Sequence, residues 1–265
     1  MSRAAKFVLI GIFGLCAGNA YAQEGKLRTV HVFVALADNQ HQGIVPVPAK
    51  LGNGEDAANN LYWGSAYGVK AFFTHSAEWN RITCTSNPKP GILERCVFAY
   101  KKVPVYLIAD AYRGIEIKQA ILDFFDSASG AGADTVAVPD SAAGSLVNVP
   151  AHGGANLLVY VGHDGLMDFQ LTGYPSQKDG SHRDVIVLAC ASKQYFADGV
   201  RASGAYPLLW TTNLMAPEAY TLKSALDGWI GEENREQIRN RAAAAYDKYQ
   251  KCGPRAARRL LVSGW

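Results

Sequence analysis

The stretches LLVYVGHDG (residues 157–165) and DVIVLACAS (residues 184–192) decide the fold of this chain. Each carries an unbroken apolar run rather than an alternation of apolar and polar side chains. A strand that is covered on both faces has this pattern, which is typical of parallel sheets between two layers of helices. The two stretches therefore predict two buried strands, 156–162 and 184–189, in a largely parallel sheet.

The remaining sequence alternates strand-like and helix-like segments, which is the pattern of an α/β domain. We expect further strands at 30–37, 97–100, 103–109 and 206–211, helices at 55–74, 115–127, 193–202, 217–229 and 233–251, and a surface loop at 128–154. This order predicts a three-layer α/β sandwich with a mostly parallel central sheet and helices on both faces. Because the alternation continues after the loop, residues 23–265 are predicted to form a single domain.

The first 22 residues have the pattern of an export signal. Arg3 and Lys6 form a basic start, residues 7–17 are an apolar run too short for a stable membrane anchor, and AYA at 20–22 is a small-x-small cleavage site. We expect cleavage after residue 22 and a periplasmic or secreted protein. No later segment is apolar over the length that a membrane-spanning helix needs, so no integral membrane segment is predicted after cleavage.

Charge and motif content exclude several functions. The chain has 26 Lys and Arg against 23 Asp and Glu, a net charge of +3, which is too small to indicate a nucleic-acid-binding face. There is no HExxH or Cys-x-x-Cys spacing, no P-loop and no G-x-S-x-G elbow. The sequence therefore argues against a zinc hydrolase, a serine α/β-hydrolase and an NTPase, and it predicts no nucleic-acid partner. The arginines at 255, 258 and 259 are interpreted as a solvated surface.

Four cysteines follow the predicted cleavage site, at positions 84, 96, 190 and 252. In an oxidising compartment an even number of cysteines favours disulfide formation. Cys84 and Cys96 flank a short segment with no clear periodicity, and we predict a disulfide between them. Pairing of Cys190 with Cys252 is the alternative that would remove Cys190 from chemistry.

His163 and Cys190 are the candidates for chemistry, because each follows one of the two apolar strands. Ligands of open α/β sheets bind beyond the carboxyl ends of the strands. A histidine and a cysteine at this edge form a plausible base and nucleophile. A lone cysteine at a strand end is more often a small buried apolar side chain, and a lone histidine is more often a satisfied polar group. The pairing of the two positions is what favours a functional interpretation.

These residues resemble the caspase-like, or clan CD, cysteine peptidases. That family has one apolar strand ending in His-Gly and a second ending in Ala-Cys. VIVLACAS matches the second pattern, whereas Asp164 stands between His163 and Gly165 in the first. The resemblance implies a peptidase that cleaves a peptide or protein substrate without a metal or cofactor. It also implies Cys190 as nucleophile, His163 as general base and acid, and the Gly165 amide, beside Asp164, as a supporting oxyanion contact.

The substrate pocket is less well defined by the sequence. The residue two before the cysteine is Leu188, where members of the family have a pocket residue. Asp38 and Asp110 are expected to follow strands at the same edge, where either could bind a basic side chain or cap a turn. His152-Gly153 is a literal His-Gly pair, but it precedes its strand. Two other hypotheses stay open: a binding module of the cell envelope without catalysis, and a hydrolase in which His163 acts with Asp164 or Asp168 and without the cysteine.

Overall fold

The computed structural model describes residues 26–139 and 145–265. The predicted export signal at 1–22 lies outside the described residues. Within the described ranges, no helix combines the length and the apolar character needed to cross a membrane.

Ten strands and seven α-helices form the described chain. The strands are β1 (Arg28–Ala35), β2 (Trp79–Lys89), β3 (Ile92–Tyr100), β4 (Val105–Tyr112), β5 (Asp134–Pro139), β6 (Leu146–Ala151), β7 (Leu157–Val161), β8 (Asp184–Leu188), β9 (Tyr206–Thr211) and β10 (Leu261–Val262). The helices are α1 (Val69–Thr74), α2 (Ile117–Ser129), α3 (Ser192–Tyr195), α4 (Ala197–Ser203), α5 (Ala219–Ile230), α6 (Arg235–Gln250) and α7 (Pro254–Leu260). Short 3-10 turns at Gly114–Glu116, His152–Gly154 and Gly165–Met167 complete the element order.

Eight strands form one sheet in the order β10-β9-β8-β7-β1-β4-β3-β2. The five neighbours β9, β8, β7, β1 and β4 are parallel. The outer strands β10, β3 and β2 pair antiparallel. The α/β class is confirmed, but the prediction of a mostly parallel sheet is wrong, because the sheet is mixed.

The mixed character comes from the short strand β10 and from the β2–β3 hairpin, which adds to β4 without a helical crossover. β2 is largely half-buried or exposed, so it lacks the continuous apolar run by which we recognised buried strands. The predicted disulfide between Cys84 and Cys96 is present and joins paired positions of this hairpin. The bridge therefore ties down a pair of strands at the edge of the sheet.

Helices cover both faces of the sheet, so the three-layer arrangement is present. Alternate residues of β1 face opposite layers, as the two-residue period of a strand requires. Val32 and its neighbours of the same parity pack with α1, α5 and α6, and Phe33 packs with α2 and α4. Both layers are rich in fully buried aromatic and aliphatic side chains. This double burial holds the central strands and their ends in place.

Two predicted segments differ from the structure. The predicted helix at 55–74 is helical only over Val69–Thr74, and the preceding residues form successive turns around Asn60 and two glycines. The predicted loop at 128–154 contains the hairpin β5–β6, which packs a small apolar cluster against β3 and β4. Glycine and short polar side chains stabilise turns in the first segment, and tertiary packing stabilises strands in the second.

Candidate functional site

His163 lies just beyond the carboxyl end of β7. Its main chain is fixed, because its carbonyl accepts hydrogen bonds from the Tyr160 hydroxyl at 2.7 Å and from the Gly165 amide at 3.1 Å. Gly162, with φ of 152°, provides the turn out of the strand, where a Cβ would approach the Ala35 carbonyl oxygen to 2.8 Å. The imidazole is therefore presented at the edge by an ordered backbone.

Asp168 orients the His163 ring. Nε2 of His163 lies 2.7 Å from Oδ2 of Asp168, and that same oxygen accepts a hydrogen bond of 2.9 Å from the Gly43 amide. A carboxylate accepts hydrogen bonds, so Nε2 carries the proton and donates it. In the neutral ring Nδ1 then holds the lone pair, and no described residue donates a hydrogen bond to it. A positioned imidazole with a free lone pair can take a proton from a substrate or a nucleophile.

Cys190 lies at the matching position beyond β8. Val161 is the register partner of Leu188, and His163 and Cys190 each follow that pair by two residues. The thiol is half-buried and free, and the thiol of Cys252 is exposed and also free. The disulfide between these two cysteines, the alternative that would block Cys190, is not formed.

The Cys190 thiol contacts the loop that follows β9. Its Sγ lies 3.4 Å from the Met215 amide nitrogen and 3.6 Å from the Met215 carbonyl oxygen. Burial raises the pKa of this thiol, the Met215 amide opposes the shift, and the charge of Asp164 adds to it. Cys190 is therefore mainly a protonated thiol at neutral pH, and it needs a base to become a nucleophile.

The backbone turns sharply after Cys190. Ala191 has φ of 47°, in the left-handed region, and its amide donates to the Asn213 carbonyl at 2.9 Å. The Ser192 amide donates to Oγ1 of Thr211 at 3.2 Å, and that hydroxyl donates to the Ala189 carbonyl. A network of strand, turn and helix residues thus positions the thiol at the edge.

His163 and Cys190 follow adjacent paired strands by the same number of residues, and their side chains do not share a hydrogen bond. Nε2 of His163 is engaged by Asp168, and the Cys190 thiol is engaged by Met215. Catalytic hydrogen bonds are often absent or long before substrate binds. The arrangement is therefore that of a candidate base and a candidate nucleophile after adjacent strands, each held by its own partner.

Gly165 begins the 3-10 turn after His163, and Asp164 caps its start. Asp164 is buried, its Oδ1 accepts a hydrogen bond from the Leu166 amide at 3.0 Å, and its Oδ2 has no hydrogen-bond partner among the described residues. Burial raises the pKa of Asp164 to about 7, Asp168 adds to this shift, and the Leu166 amide opposes it. The Gly165 amide donates to the His163 carbonyl, so in this conformation it is directed at its own loop and not at an oxyanion.

The three candidate substrate-binding residues lie in different places. Asp110 falls inside β4, which extends to Tyr112, and it is fully buried against Arg95. Leu188 is fully buried in the core. Asp38 is at the edge, but its carboxylate accepts hydrogen bonds from the Gln40 and His41 amides and lies 2.8 Å from the ring Nδ1 of His41. The structure therefore brings neither Asp110 nor Leu188 to the site, and Asp38 caps its own loop.

A second histidine cluster lies inside the fold, away from this edge. Nε2 of His31, on β1, lies 3.1 Å from Oδ2 of Asp110, and Nδ1 of His31 accepts a hydrogen bond of 2.8 Å from the His152 amide. An amide can only donate, so the His31 proton is on Nε2 and points at Asp110. Arg95 makes two hydrogen bonds of 2.6 Å to the same carboxylate. Asp110 and His31 could hold a metal by residue type, but their binding atoms are already used in a closed network.

Sequence reasoning missed the contribution of the loop after β9. Asn213 and Met215 contact the turn and the thiol of Cys190 through main-chain atoms, which leave no signature in residue type. The position of this loop beyond the next parallel strand was the available signal. Asp168 was named only in a rival hypothesis, and the structure places it on the candidate base.

Comparison with known proteins finds no family model, no curated protein and no solved structure that matches this chain. The class that the fold and the site define is an α/β protein with a histidine–aspartate pair and a free cysteine at the carboxyl edge of its sheet.

Proposed function

We propose that this protein is a cysteine hydrolase of caspase-like type that cleaves peptide bonds with Cys190 and His163. The observation that carries the proposal is the state of His163. Asp168 holds its Nε2 as the donor, so Nδ1 is left without a hydrogen bond from any described residue, and Cys190 follows the adjacent strand β8 by two residues. Enzymes that hydrolyse their substrate through a covalent intermediate combine a nucleophile, a base and a carboxylate that orients the base.

The reaction begins with proton transfer, because burial keeps the Cys190 thiol protonated. His163 Nδ1 accepts the thiol proton as Sγ attacks the peptide carbonyl carbon, and the carbonyl oxygen takes the negative charge. His163 then gives its proton to the leaving amine as the C–N bond breaks. Water, deprotonated by His163, hydrolyses the thioester and restores the thiol. Asp168 stabilises the imidazolium in both steps.

We also infer that the protein works outside the cytoplasm. The support is the sequence pattern at 1–22 together with the disulfide between Cys84 and Cys96. Disulfides persist in oxidising compartments such as the periplasm or the extracellular space. Osmotic-shock fractionation of cells that express the full chain, followed by N-terminal sequencing of the recovered protein, tests this inference. Recovery of the full-length chain in the cytoplasmic fraction would contradict it.

The decisive experiment uses the two free thiols as each other's control. The protein is treated with a peptidyl acyloxymethyl ketone, which alkylates activated cysteines, and the modified residue is identified by mass spectrometry. We expect labelling of Cys190 and not of exposed Cys252. We also expect Cys190→Ala to lose labelling and peptide hydrolysis, while Cys252→Ala keeps both. Labelling of Cys252 alone, with Cys190 unreactive in folded protein, overturns the proposal.

A hydrolase that does not use the cysteine is the second candidate, and one observation favours it. His163 is bonded to Asp168 and not to Cys190, so the pair could activate water directly. Hydrolysis that survives in Cys190→Ala but is lost in His163→Ala would support this candidate. His182, an exposed histidine bonded to Asp184, provides the matched control, since His182→Ala leaves the edge intact.

A further inference from the structure

The exposed large apolar side chains are concentrated at the edge of the sheet that carries His163 and Cys190. Eight such side chains are exposed among the described residues, and five of them lie in segments that follow the carboxyl ends of parallel strands or begin the helices there. Their exposed fractions are 82% for Val45, 65% for Leu214, 55% for Ile115, 43% for Tyr67 and 42% for Met167. We call these five residues the apolar rim. Single exposed apolar residues are ordinary, but their concentration around one site is not.

Hydrogen bonds between loops bring three members of the apolar rim together on the His163 side. Gln42 Nε2 donates to the Gly114 carbonyl at 2.8 Å, which ties the loop after β1 to the residue before Ile115. The Gly43 amide donates to Asp168 at 2.9 Å, which ties the same loop to the residue after Met167. Val45 lies two residues beyond Gly43. These three apolar side chains therefore belong to one cross-linked surface.

The other two members lie on the Cys190 side. Leu214 stands between Asn213, whose carbonyl accepts the Ala191 amide, and Met215, which contacts the thiol. It also lines a cavity of about 630 Å³ whose wall includes the apolar side chain of Leu260. The Tyr67 carbonyl accepts a hydrogen bond of 2.8 Å from the Ala219 amide at the start of α5, which holds the Tyr67 main chain at that end of the helix. Apolar groups thus flank the candidate thiol as well as the candidate base.

We propose that the apolar rim binds an extended polypeptide with apolar side chains on both sides of the bond to be cut. This inference rests on the proposed function for the position of that bond. The residues of the apolar rim follow β4, β1, β7 and β9, which with β8 make five adjacent strands that span about 19 Å at the usual strand spacing, and an extended chain covers that distance in roughly six residues. His163 and Cys190 lie between the apolar rim members on the two sides of the edge. An extended polypeptide suits this pattern, because its polar backbone can face the reactive groups while its apolar side chains contact the rim. A lipid surface would instead need a continuous apolar face.

The test measures binding separately from cleavage. Fluorescent hexapeptides with Leu or Phe at positions 2 and 5 are compared with hexapeptides carrying Glu or Lys there, by anisotropy with folded Cys190→Ala protein. We expect at least tenfold tighter binding of the apolar peptides, and a loss of about tenfold in Leu214→Asp and in Met167→Asp. Val103→Asp is the matched control, since Val103 is also exposed but lies before β4, at the opposite end of the strand, and binding should change less than about twofold.

Three results would overturn the apolar rim as a peptide site. They are equal binding of apolar and charged hexapeptides, unchanged binding in both Asp variants while far-ultraviolet circular dichroism shows them folded, and preferential binding of neutral phosphatidylcholine vesicles. The proposed function fails separately, through the absence of Cys190 labelling. Apolar binding without labelling would leave a binding module, and labelling without apolar preference would leave a peptidase of different specificity.

Discussion

Two histidine–aspartate pairs in the same sheet have opposite surroundings. His31 and Asp110 are fully buried within β1 and β4, whereas His163 and Asp168 lie in the loop after β7 with side-chain exposures of 7% and 36%. Both nitrogens of His31 are hydrogen-bonded, but only one nitrogen of His163 is. The same two residue types therefore form a closed buried network in the first pair, whereas the second pair leaves one ring nitrogen of His163 without a hydrogen bond from any described residue. Position along the strand, rather than residue type, separates the two outcomes.

The largest effect should come from breaking the buried pair. Asp110→Asn leaves Arg95 as a buried charge with a weakened partner, and we expect a loss of about 3–5 kcal/mol in the free energy of unfolding. Asp168→Asn should cost less than about 1 kcal/mol because that carboxylate is partly exposed. Urea denaturation followed by tryptophan fluorescence measures both. Similar losses in the two variants would show that the two pairs play the same role.

The second effect concerns activity and reverses the order of the pairs. Asp168→Asn removes the carboxylate that keeps the His163 proton on Nε2, so the Nδ1 lone pair is no longer guaranteed, and we expect kcat/KM to fall about 100-fold. Asp184→Asn, which alters the exposed pair with His182, is the control and should leave kcat/KM unchanged. An active Asp168→Asn enzyme with an unaltered pH profile would exclude Asp168 as a positioning residue.

The third effect is a change in the pH dependence of Cys190. Asp164 has a pKa of about 7, so it becomes negative as the pH rises through neutrality, and that charge raises the pKa of the thiol. In Asp164→Asn the charge is absent, so more thiolate is present above pH 7. We expect iodoacetamide to alkylate Cys190 about two- to fivefold faster in Asp164→Asn than in the unsubstituted protein at pH 8, and at the same rate in both at pH 5.5. Slower alkylation at pH 8 would contradict this electrostatic coupling.

The smallest effect is expected at the pair formed by exposed His182 and half-buried Asp184. Water solvates the His182 ring, which is 65% exposed, so His182→Ala should change the free energy of unfolding by less than about 0.5 kcal/mol. Thermal and urea unfolding at pH 6 and pH 8 measure the change. A loss comparable to that of Asp110→Asn would mean that burial does not separate the stabilising pairs from the superficial ones.

The sequence supports the centre of the fold better than its margins. β7, β8 and β9 are continuous apolar runs, and their predicted bounds agree with the structure to within one residue. The hairpins β2–β3 and β5–β6 were missed in whole or in part because their strands are half-exposed, and their stability comes from neighbours distant in sequence. The same dependence explains the wrong expectation of a mostly parallel sheet.

The candidate site divides in the same way. His163 and Cys190 could be placed at one edge from the ends of two apolar runs, and the free state of Cys190 agrees with that placement. Asp110 was expected beyond its strand, but β4 continues to Tyr112 and keeps Asp110 inside. The contacts of Met215 with the thiol involve main-chain atoms, so no residue type signals them. Whether a carboxylate faces the interior or the edge depends on a strand boundary of two or three residues.

The left-handed backbone of Ala191 restricts how this site can change by mutation. An L-residue other than glycine, asparagine or aspartate pays about 1–2 kcal/mol for that conformation, and β-branched residues pay more. The cost falls on the residue directly after the candidate nucleophile, independently of any reaction. The tolerated substitutions at position 191 are therefore set by backbone geometry. The exposed side chains of Leu214 and Met167 carry no such backbone constraint, so they can change far more readily than the turn that positions the thiol.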